Sequence, residues 1–351
     1  MSHRITVVPS GRQFFATPGQ TVLDAALAAG VTLPYSCKNG ACSSCKGRVV
    51  NGVIEQGPHQ AGSLLPEEAE QGYALFCCAH AQSDLTIEAR VVQGLDGIEI
   101  RKMPVRVQDL KQLAADVMVV TLQLPATQRF VFNAGQYLDF ILKDGSRRSY
   151  SMASAPHVEG TVELHIRHMP GGLFTDRVFG SDDTRLKVRD ILRCEGPLGS
   201  FFLREDTDKP IILLGSGTGF APLKAMMEHM IHRGLQRNVT LYWGGRRPGD
   251  LYMNELAESW ARDVPGFRYV PVVSEASAED GWKGRTGFVH LAVMADFPDL
   301  SGHQVYACGT PAMVEAARRD LTASCGLPPE EFYADSFTSQ ADLARKEAAS
   351  S

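Results

Sequence analysis

The sequence predicts a multidomain protein of the α+β and α/β classes, with a small mixed unit, an antiparallel β-barrel and a parallel α/β unit. Its 351 residues correspond to two or three compact domains. Short alternating segments occupy about residues 104–205, and from about 206 strands alternate with helices. We therefore expect domains at 1–97, 104–205 and 206–340, a linker at 98–103 and a tail at 341–351.

The first predicted domain, 1–97, is a small sheet crossed by one helix. ITVVP and QFFA are expected to form paired strands, and DLTIEARV alternates as a closing strand. The helix should begin after a Thr21 cap, with Asp24 three residues on, and end at Gly30. In RVVNGVIE, the Asn51-Gly52 pair predicts a hairpin with a type I′ turn.

Four cysteines carry the most informative pattern, C-x4-C-x2-C…C, which is the spacing by which plant-type ferredoxins hold a [2Fe–2S] cluster. They are Cys37, Cys42, Cys45 and Cys77. Small residues in the loop allow the tight curl that brings backbone N–H groups to a cluster: Gly40, Ala41, Ser43 and Ser44. A four-cysteine zinc site is the alternative, although such sites usually show two C-x2–4-C pairs and this chain shows one.

The fourth ligand must be chosen from two adjacent cysteines. We expect Cys77, because its Leu-x-Cys context resembles the one that ferredoxins place before their last strand. Cys78 is then a buried thiol, and Cys194 and Cys325 are free core thiols. Eight cysteines with four in a metal pattern favour a reducing compartment over a disulfide framework.

The second predicted domain is a closed antiparallel barrel, made from PVRVQDL, DVMVVTLQL, QYLDFIL, TVELHIRH and DILRCEG. Its sequence RRSYSMAS contains an Arg-x-Tyr-Ser motif, whose cation, aromatic ring and hydroxyl suit the pyrophosphate, ring system and N5 of a flavin. An edge strand with an exposed arginine is the structural alternative. Downstream, GGLFTDRVF places glycines and a threonine at a helix start that suits a phosphate.

The third predicted domain is a parallel sheet with helices on both faces. IILLGSGTGFAPLKAMMEHM gives a strand, a glycine loop and a helix, and VYACGTPAMVEAARRDL repeats that order. The helix in DLYMNELAESWARDV is expected to open on an Asp250 cap. The loop GSGTG lies beyond the carboxyl end of its strand, where its glycines and the following helix could bind a pyrophosphate. It differs from the dinucleotide fingerprint G-x-G-x-x-G, so a plain structural turn is the alternative.

Composition excludes several classes of partner. The net charge of −5 and the pI near 6.1 give no basic surface for nucleic acid. The N-terminus lacks an apolar secretion segment, and aliphatic runs such as IILL are too short for a membrane span. We expect a cytoplasmic protein with no nucleic-acid or membrane partner.

Together, GSGTGFAP, YWGG, YACGTPAM and RSYS resemble the ferredoxin–NADP reductase superfamily. The whole chain is similar to three-domain reductases that carry an N-terminal plant-type ferredoxin of β-grasp fold, an FAD-binding barrel and an NAD-binding domain. The phrases YSCKNGACSSCK, LFCCAHAQSD, AGQYLDF, EGPLGSFFLRED and FYADSF most resemble reductases that serve a sugar-nucleotide dehydrase. Reductases of Rieske dioxygenases or multicomponent monooxygenases are the runner-up, and a non-enzymatic electron carrier is the third possibility.

The resemblance implies roles for the barrel residues. Within Arg148-Ser149-Tyr150-Ser151, it implies that Arg148 contacts the FAD pyrophosphate, Tyr150 stacks on the flavin and Ser151 hydrogen-bonds N5. The phosphate site is implied at Gly172 and Thr175. The cofactor-lining strand is implied at His165, Ile166 and Arg167, partly through backbone atoms.

The resemblance also implies a nicotinamide site. Its members are the loop residues Gly215, Gly217, Thr218 and Gly219, and Cys308 with Gly309 near the nicotinamide ring. Ser336 and Phe337 match the place where relatives cover the flavin. Ser151, Cys308 and Phe337 are the implied catalytic residues. Hydride would pass from NAD(P)H to FAD. Single electrons would then pass from FAD to the cluster and on to an acceptor protein, which is a dehydrase or oxygenase component.

The choice of nicotinamide follows from Val273-Ser274-Glu275. Many NADP-dependent relatives carry Ser-Arg at this point to bind the 2′-phosphate. A carboxylate there would repel a phosphate and accept a hydrogen bond from a ribose hydroxyl. We therefore expect NADH, while Arg246 and Arg247 keep NADPH possible.

Overall fold

The computed structural model describes residues 2–60, 62–95, 97–126 and 129–336. The chain divides into two compact units. The first comprises the chain up to Ile98 together with Gly199–Phe201. Among the described residues, the second comprises Glu99–Leu198 and Phe202–Ser336, so it contains both the predicted barrel and the predicted α/β domain.

The first unit is a mixed five-stranded sheet with a helix packed on it. Its helices are α1 (Val22–Ala28) and α2 (Pro66–Glu70), and its strands are β1 (His3–Val8), β2 (Gln13–Ala16), β3 (Lys46–Asn51), β4 (Ile54–Gln56), β5 (Tyr73–Leu75), β6 (Ala79–Ala81) and β7 (Leu85–Glu88). The sheet order is β2-β1-β7-β3-β5, with β1 and β7 parallel. Val22 and Leu23 of α1 join the same core as Ile5 and Ile87.

Helix α1 begins as the sequence predicts. The Thr21 hydroxyl accepts a hydrogen bond from the Asp24 N–H at 3.1 Å, which satisfies one of the free donors of the first turn. Gly30 follows the helix with φ of +72°. The cap and the stop residue therefore define this helix locally.

The predicted Asn51-Gly52 hairpin is wrong. β3 pairs with β5 and β7, whereas β4 pairs with β6 in a separate two-stranded sheet. A type I′ turn needs positive φ at both central residues, and Gly52 has it at +102° while Asn51 does not. The chain turns away here because the neighbours of β3 are strands distant in sequence.

The barrel of the second unit is antiparallel throughout. Its elements are β8 (Arg101–Ala114), β9 (Val117–Gln123), β10 (Tyr137–Ile141), β11 (Arg147–Ser151), β12 (Thr161–Arg167), α3 (Leu173–Phe179) and β13 (Ile191–Leu198). The order is β11-β10-β13-β8-β9-β12, and a bridge between Met152 and Leu164 joins the two edges. The predicted closed barrel is confirmed, and β8 begins at Arg101, inside the segment expected to be a linker.

The remaining elements form a six-stranded parallel sheet with helices. They are β14 (Ile211–Ser216), α4 (Phe220–Arg233), β15 (Val239–Gly245), α5 (Asn254–Asp263), β16 (Phe267–Val273), β17 (Arg285–Thr286), α6 (Val289–Asp296), β18 (Gln304–Gly309), α7 (Pro311–Ser324) and β19 (Phe332–Ser336). The order is β17-β16-β15-β14-β18-β19. Ile212 and Leu214 pack in one core with residues of α6 and α7.

The expected Asp250 cap of α5 is wrong, because that helix begins at Asn254. Asp250 instead accepts the backbone N–H groups of Arg246 and Arg247, at 2.7 and 3.1 Å, and so closes the turn after β15. Over the residues that the structure describes, none of the helices combines the length and apolar character needed to cross a membrane.

Burial predicts how two leucine truncations differ. Leu214→Ala removes a side chain with no solvent exposure and should lower the free energy of unfolding by about 2–5 kcal/mol, whereas Leu291→Ala, at 48% exposure, should change it by less than about 0.5 kcal/mol. Urea titration followed by tryptophan fluorescence measures this unit alone, because Trp243, Trp260 and Trp282 all lie in it. Equal losses for the two variants would contradict the described core.

Candidate functional site

The first three predicted metal ligands lie in a loop that curls by left-handed backbone. Lys38, Gly40 and Ser43 have φ of +56°, +71° and +57°. Glycine adopts this region freely, whereas lysine and serine enter it at a cost of order 1 kcal/mol each. A Cβ at Gly40 would lie 2.7 Å from His59 Cβ. The curl predicted from small residues is present. Lys38 also takes part in it, although a lysine gives no indication of a left-handed backbone.

The four thiols interact as two pairs. Cys37 hydrogen-bonds Cys42, and this bond lowers the pKa of Cys42. Cys45 hydrogen-bonds Cys77, and this bond, with a second from Cys78, lowers the pKa of Cys77. The Ala41 N–H points at Cys37 Sγ, at 3.3 Å. Each pair thus brings two sulfurs within hydrogen-bond reach of each other, and the same two bonds raise the pKa of Cys37 and of Cys45.

Two pairs of sulfurs suit two irons, each with two protein ligands, and thus a [2Fe–2S] cluster. A structural zinc ion would need four sulfurs arranged around one point. Within the described ranges, no three Cys, His, Asp or Glu side chains form a group suited to a single metal ion. The donor set therefore fits the cluster that the spacing predicts.

The flavin motif lies on β11 at the barrel wall. Tyr150 is half-buried and packs in an aromatic cluster, 5.8 Å from Phe140 and 5.6 Å from Phe174 between ring centroids. Burial raises the pKa of Tyr150, so its hydroxyl stays neutral. Arg148, two residues away, shares the Tyr150 side of the strand by alternation. This face offers a ring and a guanidinium for a flavin and its pyrophosphate.

The two serines of the motif differ. Ser149 donates its hydroxyl to Asp139 at 2.6 Å, on the neighbouring strand, and so contributes to the sheet. Ser151 is buried and donates to Asp335 at 3.0 Å, which lies at the end of β19. The structure thus brings Ser151, but not the Ser149 hydroxyl, to the nicotinamide side of the fold.

The predicted phosphate site begins at the N-terminus of α3. Gly172 is the N-cap residue. The Thr175 hydroxyl is buried and donates to Met169 O at 2.8 Å, and therefore shapes the loop. A Cβ at Gly172 would lie 2.6 Å from that hydroxyl oxygen, which explains the glycine.

The three predicted residues of β12 face two ways. Ile166 is fully buried in the barrel core, so only its backbone is available to a cofactor. His165 and Arg167 point outward, toward the loops of the parallel sheet. His165 Nδ1 lies 2.8 Å from the Tyr252 hydroxyl, and a Cβ at Gly217 would lie 2.7 Å from the Arg167 guanidinium.

The glycine loop meets the end of β18 at backbone distance. A Cβ on Gly219 would overlap the carbonyl oxygen of Cys308, and one on Gly309 would overlap the Ser216 hydroxyl. Ser216 Oγ also accepts the Thr310 N–H at 3.2 Å. Gly215 pairs with Cys308 across β14 and β18, and Thr218 lies half-buried in the short 3-10 turn Gly217–Gly219. The predicted members of this site are therefore adjacent.

Cys308 and Ser336 complete the floor of this site. The Cys308 thiol has no solvent exposure, and burial, followed by the charge of Asp335, raises its pKa. Ser336 pairs with Gly309 across β18 and β19, and its buried hydroxyl finds no hydrogen-bond partner among the described residues. An unpaired buried donor at the end of β19 fits the presence of a bound ligand there. Phe337 lies outside the described residues.

Sequence reasoning missed two groups. One is Asp335, whose carboxylate links Ser151 to the Cys308 region, although it stands in the quoted motif FYADSF. The other is a buried network under the glycine loop, in which Lys224 Nζ contacts Glu163 at 3.2 Å and Ala153 O at 3.2 Å. A lysine within an apolar helix, APLKAMM, was the available signal.

The charges of this network determine its protonation. Burial alone would raise the pKa of Glu163, but the hydrogen bond from His165 and the charge of Lys224 outweigh it and lower that pKa to about 2. Burial lowers the pKa of His165, which keeps the imidazole neutral. Lys224 also contacts Glu228 at 2.9 Å, so the network is a lysine between two glutamates, beside a neutral histidine.

Comparison with known protein families matches three parts of the chain. A family described as the 2Fe-2S iron-sulfur cluster binding domain matches residues 5–82. One described as the oxidoreductase FAD-binding domain matches residues 104–203, and the oxidoreductase NAD-binding domain matches residues 213–319. The chain therefore carries domains for all three cofactors.

Similar proteins span the whole chain. CDP-6-deoxy-L-threo-D-glycero-4-hexulose-3-dehydrase reductase of Yersinia pestis is 40% identical over 337 residues, covering 96% of this chain and 99% of the relative. Terephthalate 1,2-dioxygenase reductase component 1 of Comamonas is 37% identical, covering 96% and 98%. The crystal structure of the Amycolatopsis cytochrome P450 reductase GcoB matches with a TM-score of 0.74 at 34% identity, covering 96% of this chain and 99% of that one.

These matches agree with the fold. Along the chain, a [2Fe–2S] domain precedes an FAD domain and an NAD domain. The chain belongs to the family of NAD(P)H-dependent, ferredoxin-type reductase components that includes the CDP-6-deoxy-hexulose-3-dehydrase reductases.

Proposed function

We propose that this reductase takes hydride from NADH and passes single electrons, through FAD and the cluster, to a sugar-nucleotide dehydrase. One observation supports the redox path most strongly: Ser151 of the barrel and the ends of β14, β18 and β19 converge on one buried point. FAD, when bound, converts two-electron chemistry into one-electron chemistry. The residues below bind it, orient it and exclude water.

Ser151 is proposed to orient the flavin by its hydroxyl. The Asp335 carboxylate accepts a hydrogen bond from the Ser151 hydroxyl at 3.0 Å, and both residues are buried. The Asp335 carboxylate can hold the Ser151 hydroxyl in place, and the hydroxyl oxygen keeps a lone pair for the N5–H that the ring would carry once reduced. Tyr150 would provide the stacking surface and Arg148 the charge for the pyrophosphate.

Cys308 is proposed to contact the nicotinamide. Its thiol is buried and neutral, because burial and the nearby Asp335 raise its pKa. A soft, uncharged side chain packs against a ring without attracting water. Gly215, Gly217, Thr218 and Gly219 would hold the pyrophosphate beside it, at the N-terminus of α4.

The preference for NADH is proposed from the loop after β16. The Glu275 N–H donates to Arg246 O at 2.9 Å, so the Glu275 backbone lies beside the end of β15. Arg247 is paired with Asp280 at 3.0 Å, which engages one of the two arginines that a 2′-phosphate could use. The exposed Glu275 carboxylate would repel the 2′-phosphate of NADPH at this position.

The dehydrase acceptor is proposed from the relatives. The Yersinia protein whose name specifies a dehydrase is 40% identical from end to end. The match covers 96% of this chain and 99% of the Yersinia protein. Electron delivery to a sugar-nucleotide dehydrase is therefore the function we infer.

An oxygenase acceptor is the second candidate. The terephthalate dioxygenase reductase is 37% identical over nearly the same share of the chain, which is only slightly less than the dehydrase reductase. Cofactor chemistry would be the same, and only the docking partner would differ.

The acceptor is tested by comparing two acceptor proteins in parallel assays. Purified reductase with NADH is mixed with a CDP-hexulose dehydrase or with a Rieske oxygenase component, and NADH oxidation dependent on each acceptor is measured. We expect the dehydrase to give the larger kcat/KM. A larger value with the oxygenase would transfer the assignment to the second candidate, and dyes are unsuitable because reduced flavins donate to them unselectively.

We also propose the cluster ligands, the domain limits and the location. Cys37, Cys42, Cys45 and Cys77 are the proposed ligands. The family matches at 5–82, 104–203 and 213–319 fall inside the proposed domains 1–97, 104–205 and 206–340. None of the eight cysteines forms a disulfide, which supports the reducing cytoplasm.

Gly219→Ala should impair hydride transfer. The new methyl would overlap the Cys308 carbonyl and displace the loop from the nicotinamide site. We expect the stopped-flow rate of flavin bleaching by NADH to fall roughly 100-fold, with FAD content retained. Gly302→Ala is the matched control, since its methyl would meet nothing within 4 Å. An unchanged rate in Gly219→Ala would refute the close-approach account.

Glu275→Ser should shift nucleotide preference. Removal of the carboxylate should raise kcat/KM for NADPH about 10-fold relative to NADH, equivalent to about 1.4 kcal/mol. Glu279→Ser, an exposed carboxylate on the following turn, provides the control and should leave the ratio unchanged. The same shift in both variants would indicate a general charge effect instead.

A further inference from the structure

The cluster site of the first unit contains a fifth sulfur. Cys78 Sγ lies 3.5 Å from Cys77 Sγ, within hydrogen-bond distance for sulfur. Both residues are at least nine-tenths buried, at 9% and 7% exposure. Cys78 also faces the cysteine loop, because a Cβ at Gly40 would lie 2.8 Å from its Sγ.

The backbone of Cys78 is held on both sides. Its N–H donates to Leu75 O at 2.9 Å, and its carbonyl accepts the Gly57 N–H at 2.8 Å. Gly57 itself is packed so closely that a Cβ there would lie 2.7 Å from the same carbonyl. With the main chain held in this turn, the Cys78 thiol has little freedom to move away from Cys77.

Metal binding settles which sulfur keeps its proton. A ligand cysteine is a thiolate and carries no hydrogen. If Cys77 is the ligand, as the proposed function assumes, then the only proton in this sulfur pair is on Cys78. The S–H of Cys78 is then the donor and Cys77 Sγ the acceptor.

We propose that Cys78 donates an S–H···S hydrogen bond to the ligand Cys77 and thereby raises the reduction potential of the [2Fe–2S] cluster. Reduction adds one electron and increases the negative charge on the ligand sulfurs. A donor to one of these sulfurs stabilises the reduced form more than the oxidised form. Burial strengthens the bond, because little water competes for it. This proposal rests on the proposed function through the assignment of Cys77 as ligand.

The test is the midpoint potential of the cluster in the full-length holoprotein, measured by titration with EPR detection. Cys78→Ala removes the donor and should shift the potential to a more negative value, with iron and sulfide content unchanged. Cys78→Ser keeps a hydroxyl donor and should hold the potential at or above that of the wild type. Cys194→Ala makes the same truncation at a fully buried thiol of the barrel and should leave the potential unchanged.

Three results would overturn the proposal. They are an unshifted potential in Cys78→Ala, an equal negative shift in Cys78→Ser, and loss of the cluster in Cys78→Ala with its retention in Cys77→Ala. The last would make Cys78 the ligand. Flavin bleaching by NADH in the wild-type protein tests the proposed function separately, so the two failures are distinguishable.

Discussion

The backbone contact between Gly219 and Cys308 is the constraint on which the proposed nicotinamide site depends. A side chain at position 219 would overlap the Cys308 carbonyl, so only glycine lets the loop after β14 lie on the end of β18. That approach puts the N-terminus of α4 beside a buried thiol. β19 pairs with β18 in turn and brings Asp335 to Ser151. The glycine loop, the Cys308 thiol and Ser151 of the barrel thus lie close to one another.

The outer face of β12 supports the same arrangement from the barrel side. Alternation puts Val162, Leu164 and Ile166 in the barrel core and leaves Glu163, His165 and Arg167 outside. These three contact Lys224, Tyr252 and the glycine loop, respectively. Removing one partner of such a buried pair leaves an uncompensated charge, so the pairing favours a defined placement of the glycine loop against the barrel.

Much of the fold and of the site follows from sequence because the signals are local. Thr21 and Gly30 bound a helix by their own caps, and the cysteine spacing determines which thiols share a loop. The failures involve choices among distant partners. The Asn51-Gly52 pair carries no information on which strands pair with β3, and these are β5 and β7. The sequence around Asp250 likewise does not reveal that its carboxylate closes the preceding turn. Asp335 was missed because its role depends on a serine 184 residues away.

Hydride acceptance is assigned to the second unit and cluster chemistry to the first. Stopped-flow reduction of Cys45→Ser by NADH tests this separation, with Cys325→Ser, another buried thiol, as control. We expect flavin bleaching at the wild-type rate in Cys45→Ser, with the iron–sulfur absorption and electron delivery to the acceptor lost. Loss of flavin reduction together with the cluster would contradict it.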